Sequence, residues 1–123
     1  MSAGFHAFHV HANGLCDAQT GYASVGGHYD HLHRQQPFDG DLPVILVGAD
    51  GTGSGSFVTD RFTVAAVRGM SLVVHALPDD YANVPTGKRK NEYTPNGPRA
   101  VDTTDATGNS GAALACGVIR SVP

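Results

Sequence analysis

Charge is scarce in this sequence: only 15% of its 123 residues are Asp, Glu, Lys or Arg, and the formal net charge is −3. A chain so balanced has no general electrostatic attraction for nucleic acid or an anionic membrane surface. No apolar run approaches the roughly 18 residues of a membrane-spanning helix. There is no internal repeat and no low-complexity tract. Residues Met1 to His6 hold no basic segment followed by an apolar one, so no signal peptide is expected within the chain. Cysteine is limited to Cys16 and Cys116, a hundred positions apart. A disulfide between them would place the protein outside the cytoplasm, whereas two free thiols would suit the cytosol; composition does not choose.

What the sequence has instead is glycine, 16 residues of it, with 7 prolines punctuating short apolar runs in a chain that is 41% hydrophobic. That pattern favours strands and loops over long helices, and the length suits a single domain, 1–123. Gly4 to His11 reads as a strand ended by Asn13-Gly14. A long loop follows to Asp41, and Leu42 to Val47 reads as the next strand. The turn cluster Ala49 to Gly53 predicts a hairpin whose second arm is Gly55 to Thr59. Phe62 to Val67 is compatible with a short strand or a helical turn. Ser71 to His75 reads as a buried strand and Ala112 to Ile119 as the last one. Between these two, Ala76 to Ser110 is polar and irregular, a loop long enough to be functional or disordered.

The seven histidines need explaining. On a strand, His9 and His11 share a face, so both imidazoles can reach one ion. A lone His-x-His pair is weak evidence, since a surface pair or a satisfied core histidine would look the same. His75 ends an apolar strand, where its ring needs a polar partner or a metal. His28 follows Gly26-Gly27, which lets the backbone approach closely. Four imidazoles without thiolates suit Cu(II) or Ni(II) in a tetragonal site, with zinc less diagnostic.

Taken in order, Gly4-Phe5-His6-Ala7-Phe8-His9-Val10-His11, Gly26-Gly27-His28-Tyr29, Gly40-Asp41-Leu42, Leu72-Val73-Val74-His75 and Leu114-Ala115-Cys116-Gly117-Val118-Ile119 resemble the copper–zinc superoxide dismutases through essentially the whole chain. Asp79-Asp80-Tyr81-Ala82-Asn83-Val84-Pro85 resembles the loop of the mycobacterial secreted members. The resemblance implies an all-β, immunoglobulin-like Greek-key β-barrel or sandwich whose two long loops form the metal site. It also implies copper at His9, His11, His28 and His75, a disulfide between Cys16 and Cys116, and a structural role for His6. Asp79 matches the carboxylate that supports the site histidines, and Asp80 is expected to face solvent.

The pattern breaks in three places. Only His28 and Asp41 remain of the zinc ligands, and Phe38 stands where a histidine belongs. His31 and His33 lack the usual spacing and read as exposed loop histidines, so Asp41 is a zinc remnant and zinc is not expected. The family arginine that steers superoxide is replaced by Ala113, which offers neither charge nor donors. Arg99 or the cluster Lys88-Arg89-Lys90 are the candidate substitutes, against their reading as a solvated basic patch. Finally, the first three strands of the family are absent, which leaves five strands with open edges; either the sequence starts late, as a fragment or from a mis-called start, or a partner such as a second copy supplies the missing edge.

The function implied is dismutation of superoxide to oxygen and hydrogen peroxide at a copper-only site, with His28 and Asp79 as the catalytic residues beside the ligands. The location implied is extracytoplasmic. A copper-binding or storage module with little turnover is the alternative.

Overall fold

The computed structural model describes residues 1–32, 36–83 and 100–122. Four strands, β1 (Gly4–His11), β2 (Asp41–Val47), β3 (Ser71–His75) and β4 (Ala113–Val118), form one sheet in the order β2-β1-β3-β4. Every neighbouring pair is antiparallel. β1 is paired on both sides, and from His6 onward five of its six residues are buried, Phe8 being partly so. The chain leaves β2 and crosses β1 to lay β3 on its other side, so the all-β, Greek-key-like expectation holds. The remaining elements are two short 3₁₀ turns, the one-turn helix α1 (Val64–Val67) and the helix α2 (Ala100–Thr107).

The two-residue period of the strands sorts chemistry by face. Val10, Leu42 and Val67 form the buried apolar cluster, with Phe8, Phe62, Met70, Leu72 and Ile119 packed on it. On the opposite face, His9 lies directly across from Asp41 on β2 and Val73 on β3, and His11 across from Ser71. His75 follows Val73 by two and keeps to that face.

Two bulges interrupt this regularity. Between His6 and Phe8, two steps of β1 oppose three of β2, from Ile45 to Leu42. Pro43 sits in the bulged stretch, where its missing N–H costs no ladder bond. At the other end, Val74 faces Ala115 while His75 faces Ala113, so the extra residue is Leu114. A bulge there re-aims the end of the strand beside the histidines.

The first long loop is stitched to the sheet rather than draped over it. Tyr29 donates to the Val10 carbonyl at 2.8 Å, Val10 to Gly40 at 2.9 Å, and Gly40 to Tyr29 at 2.7 Å. A β-carbon on Gly40 would lie 2.5 Å from the Val10 oxygen, so only glycine permits this crossing. Cys16 is disulfide-bonded to Cys116 on β4, with Cα atoms 5.5 Å apart, which settles the cysteine question.

Three expectations need correcting. Gly55 to Thr59 is not a strand: the turn after β2 closes through the single bridge Val47–Gly53, because a second arm needs cross-strand partners that turn residues alone cannot supply. The segment 62–67 resolves as a helical turn, with the Thr63 hydroxyl accepting from Ala66 N–H. The polar stretch after His75 contains α2, whose threonines and aspartates are poor helix formers; docking, described below, holds it. His33, Lys88, Arg89, Lys90 and Arg99 lie outside the described residues.

Because the disulfide closes a hundred-residue loop, its removal is expected to cost roughly 2–4 kcal/mol. The doubly substituted Cys16→Ala/Cys116→Ala chain should therefore unfold at lower denaturant, with a steeper slope as the unfolded state expands. An unchanged midpoint would mean that the loop hydrogen bonds suffice alone.

Candidate metal centre

Four imidazoles converge from three parts of the fold: His9 and His11 from β1, His75 from the end of β3, and His28 from the first loop. His28 arrives by an isolated antiparallel bridge to His11, supported by Ala12 N–H donating to Gly27 at 3.0 Å. One ring nitrogen from each of the four lies within 4.8 Å of those of the others. All four residues predicted as ligands are thus brought together, and three are buried.

The ring centroids define the shape. Around the circuit His9, His28, His11, His75 the separations are 4.0, 4.8, 5.4 and 4.8 Å. The two diagonals, His9–His11 and His28–His75, are 6.1 and 6.2 Å. A tetrahedral set would make all six equal; here both diagonals exceed every side, so the rings stand at the corners of a flattened square. An all-imidazole tetragonal arrangement suits Cu(II) or Ni(II).

Each ring also has its proton assigned by what it touches. His11 Nδ1 faces the Gly26 carbonyl at 2.7 Å, His75 Nδ1 the Gly111 carbonyl at 3.1 Å, and His28 Nδ1 the Asp41 carboxylate at 2.7 Å. His9 Nε2 is held by Asp79, whose side chain is fully buried with it. Carbonyl and carboxylate oxygens only accept, so each outer nitrogen must be the donor. The inner nitrogens are left as lone pairs. His9 Nδ1 and His28 Nε2 have no hydrogen-bond partner although buried, and His11 Nε2 and His75 Nε2 lie 3.2 Å apart. Orphaned inward acceptors of this kind call for a ligand, and this donor set fits a metal ion.

Burial reinforces neutrality. The pKa values of His11 and His75 are each pushed down to about 4, chiefly by burial, with neighbouring histidines adding to it against the opposing pull of the glycine carbonyls. Both rings are therefore uncharged, metal-ready imidazoles at neutral pH.

Around them lie residues that sequence reasoning placed differently or missed. Asp41 has a partner: besides His28 it accepts the Phe38 N–H at 2.7 Å. Phe38 turns its ring edge-on to His28 at 5.6 Å. His31 is paired with Asp39 and its side chain is 48% exposed, so it does not join the cluster. A second group, His9 with Asp41 and Asp79, also lies within ligating distance, but the His9 nitrogen it needs is the one donating to Asp79. Asp80 is only half-exposed and accepts the Thr104 hydroxyl at 3.1 Å, a correction to its solvent-facing expectation. Tyr81 was not singled out; its hydroxyl donates to the Leu42 carbonyl at 2.7 Å and its pKa is raised to about 12, first by burial and then by the charge of Asp79. Its position after the Asp79-Asp80 pair was the available signal. His6 is buried, with its nitrogens on the carbonyls of His75 and Ser2 at 2.7 and 2.9 Å. Ala113 stands opposite His75 and is partly exposed. Arg61, a described cation, is committed to the Pro37 and Phe38 carbonyls.

Comparison with known proteins agrees with this geometry. A family model described as copper/zinc superoxide dismutase (SODC) matches residues 1–119. A Cu-Zn superoxide dismutase of Mycolicibacterium paratuberculosis is 36% identical over 97% of this chain and 57% of its own length. That of Mycobacterium tuberculosis is 35% identical over 98% and 55%, and that of Deinococcus radiodurans 32% identical over 99% and 66%. The chain thus spans about half the length of the mycobacterial relatives. Among solved structures, the clock protein EA4 superposes with a TM-score of 0.75 at 25% identity, over 99% of this chain and 73% of that one.

The depressed histidines make the metal-free fold acid-sensitive. Between pH 6.5 and about 4, His11 and His75 are protonated in the unfolded chain but neutral in the fold. The unfolded state then binds more protons, so stability falls as pH falls through that window. The melting temperature of metal-free protein should drop progressively across it; a flat profile would show that the rings protonate in place.

Proposed function

The chain belongs to the copper/zinc superoxide dismutase family, and from that premise we propose that it is a copper-only superoxide dismutase acting outside the cytoplasm. One observation carries the reading: four imidazoles in a flattened square, each with one nitrogen on an outer acceptor and the other turned inward. Copper held there would supply one-electron redox chemistry, by which two superoxide ions and two protons give one oxygen and one hydrogen peroxide.

The chain's own residues divide the remaining work. His9, His11, His28 and His75 would hold the ion through Nδ1 of His9 and Nε2 of the other three. Asp79 fixes the tautomer and orientation of His9, and Asp41 does the same for His28; outer partners of this kind set both ligand direction and basicity. The His28 Nδ1 proton stays on the Asp41 side, so Nε2 is the His28 atom left to hold the ion. His28 and Asp79 are thus the residues whose loss would be felt most beyond the other ligands. The protein orients and insulates; the electron chemistry is the metal's.

Zinc has no ready place in this reading. Both oxygens of Asp41 already accept hydrogen bonds, Phe38 occupies the position of a histidine, and His31 is engaged by Asp39. The Cys16–Cys116 bond supports an oxidising compartment. No helix among the described residues is long and apolar enough to cross a membrane. Exposed Phe5 and Leu46, paired across β1 and β2, suit a homo-oligomer.

Ala113 favours a second reading, a copper-binding module with little turnover, because superoxide meets no positive donor at that position. Loading with Cu(II) against excess Zn(II), followed by a superoxide-decay assay, separates the two. Retained copper, no zinc and accelerated decay support the dismutase. Copper held without activity supports the module, and zinc retained alongside copper overturns the copper-only site. If steering is the deficit, Ala113→Arg should raise the rate about 10-fold at low salt, with the gain shrinking as ionic strength rises. No gain would mean that encounter does not limit the reaction.

A further inference from the structure

Asp79 is held in a close-fitting slot, and one wall of that slot is a residue without a side chain. Its Oδ2 takes the His9 proton and its Oδ1 accepts the Tyr81 N–H at 2.7 Å. The opposite side is closed by Gly108, the residue after α2. A β-carbon on Gly108 would stand 1.7 Å from Asp79 Oδ1, 2.5 Å from Cγ and 3.0 Å from Oδ2. No flexing absorbs that overlap: the carboxylate would have to leave, and with it the bond to His9 or to Tyr81.

We propose that Gly108 is a positioning residue for the metal centre, the spacer that allows the Asp79 carboxylate to hold His9 in its ligating orientation. The seat is braced on both sides. Gly108 N–H donates to Thr104 at the end of α2, Asp80 N–H donates to the Gly108 carbonyl, both at 2.9 Å, and the Thr104 hydroxyl donates to Asp80 Oδ2. The helix end and the Asp79-Asp80 pair are thus locked together, so neither backbone can yield to make room. This network also explains why a helix of weak intrinsic propensity persists.

Gly108 has φ +60°, a conformation in which glycine is favoured at helix ends for its own sake. A helix-cap role and a spacer role make different predictions, and Asp79 tells them apart. The proposal rests on His9 being a copper ligand, so Cu(II) affinity of the unaltered chain is measured first by competition; absence of tight binding would overturn that underlying reading rather than the spacer. Gly108→Ala is then expected to weaken Cu(II) binding about 10- to 100-fold, the range seen when outer partners of metal ligands are disturbed, and to alter the Cu(II) EPR spectrum. In the Asp79→Ala background, where the slot is empty, adding Gly108→Ala should change Cu(II) affinity little and lower the melting temperature of the metal-free protein less than in the unaltered background, by the left-handed backbone strain alone. If Gly108→Ala alone does not fold while Asp79→Ala/Gly108→Ala does, the proposal stands. Equal losses in both backgrounds would reduce Gly108 to a helix cap, and unchanged copper affinity in Gly108→Ala would overturn the spacer outright.

Discussion

Everything in this molecule depends on four imidazoles each turning one nitrogen outward to an acceptor, so that the other nitrogens converge. A cluster of rings within 4.8 Å would repel itself if protonated, and would bind nothing if the protons pointed inward. The fold meets both requirements with acceptors alone. Two are backbone carbonyls, of Gly26 and Gly111; two are carboxylates, Asp41 and Asp79. The division follows position. His11 and His75 meet carbonyls of the two loops, whereas His9 and His28 meet the side chains of Asp79 and Asp41.

The same requirement explains the architecture of the loops. A ring is only as well oriented as its acceptor, so Gly26, Gly111, Asp41 and Asp79 must themselves be fixed. Gly26 belongs to the loop that the disulfide ties to β4. Gly111 is held by the pairing of Ala76 with Ala112 and Leu77 with Ser110. Asp41 begins β2 and is capped by the Phe38 N–H. Asp79 lies between Tyr81 and Gly108, and the Tyr81 hydroxyl, reaching the Leu42 carbonyl, ties that loop to the strand carrying Asp41. The two carboxylates thus belong to one mechanical unit.

How much of this the sequence displayed depends on the range of the interaction. His9 and His11 were legible because strand alternation is a local property, and His75 because a polar ring at the end of an apolar strand must be satisfied. His28 carried only the weak sign of the Gly26-Gly27 before it, and the disulfide pairing and Asp79 became legible through a family resemblance, since residues tens of positions apart carry no local sign of contact. The misplaced features share one cause, dependence on neighbours: Gly55 to Thr59 has a strand-like composition but finds no ladder, and Ala100 to Thr107 has poor helix formers that are held by Asp80. Asp41 was identified by position, yet its partner, the His28 Nδ1 proton, could be assigned only from geometry.

That partner bears on the proposed copper-only site. A second cation at His28 Nδ1 would withdraw electron density from the ring and hold it without a proton. The Asp41 carboxylate does the reverse: it keeps Nδ1 protonated and pushes density toward Nε2, making that nitrogen more basic. In a copper-only site, His28 is therefore a firmer ligand through that atom. Phe38 completes the exchange, since its backbone N–H satisfies the other Asp41 oxygen while its ring stands beside His28, where a charged ligand would otherwise approach. The residues left around His28 read as a rebuilt support for a single ion, in which a buried hydrogen bond orients the ring that a second metal would otherwise have oriented.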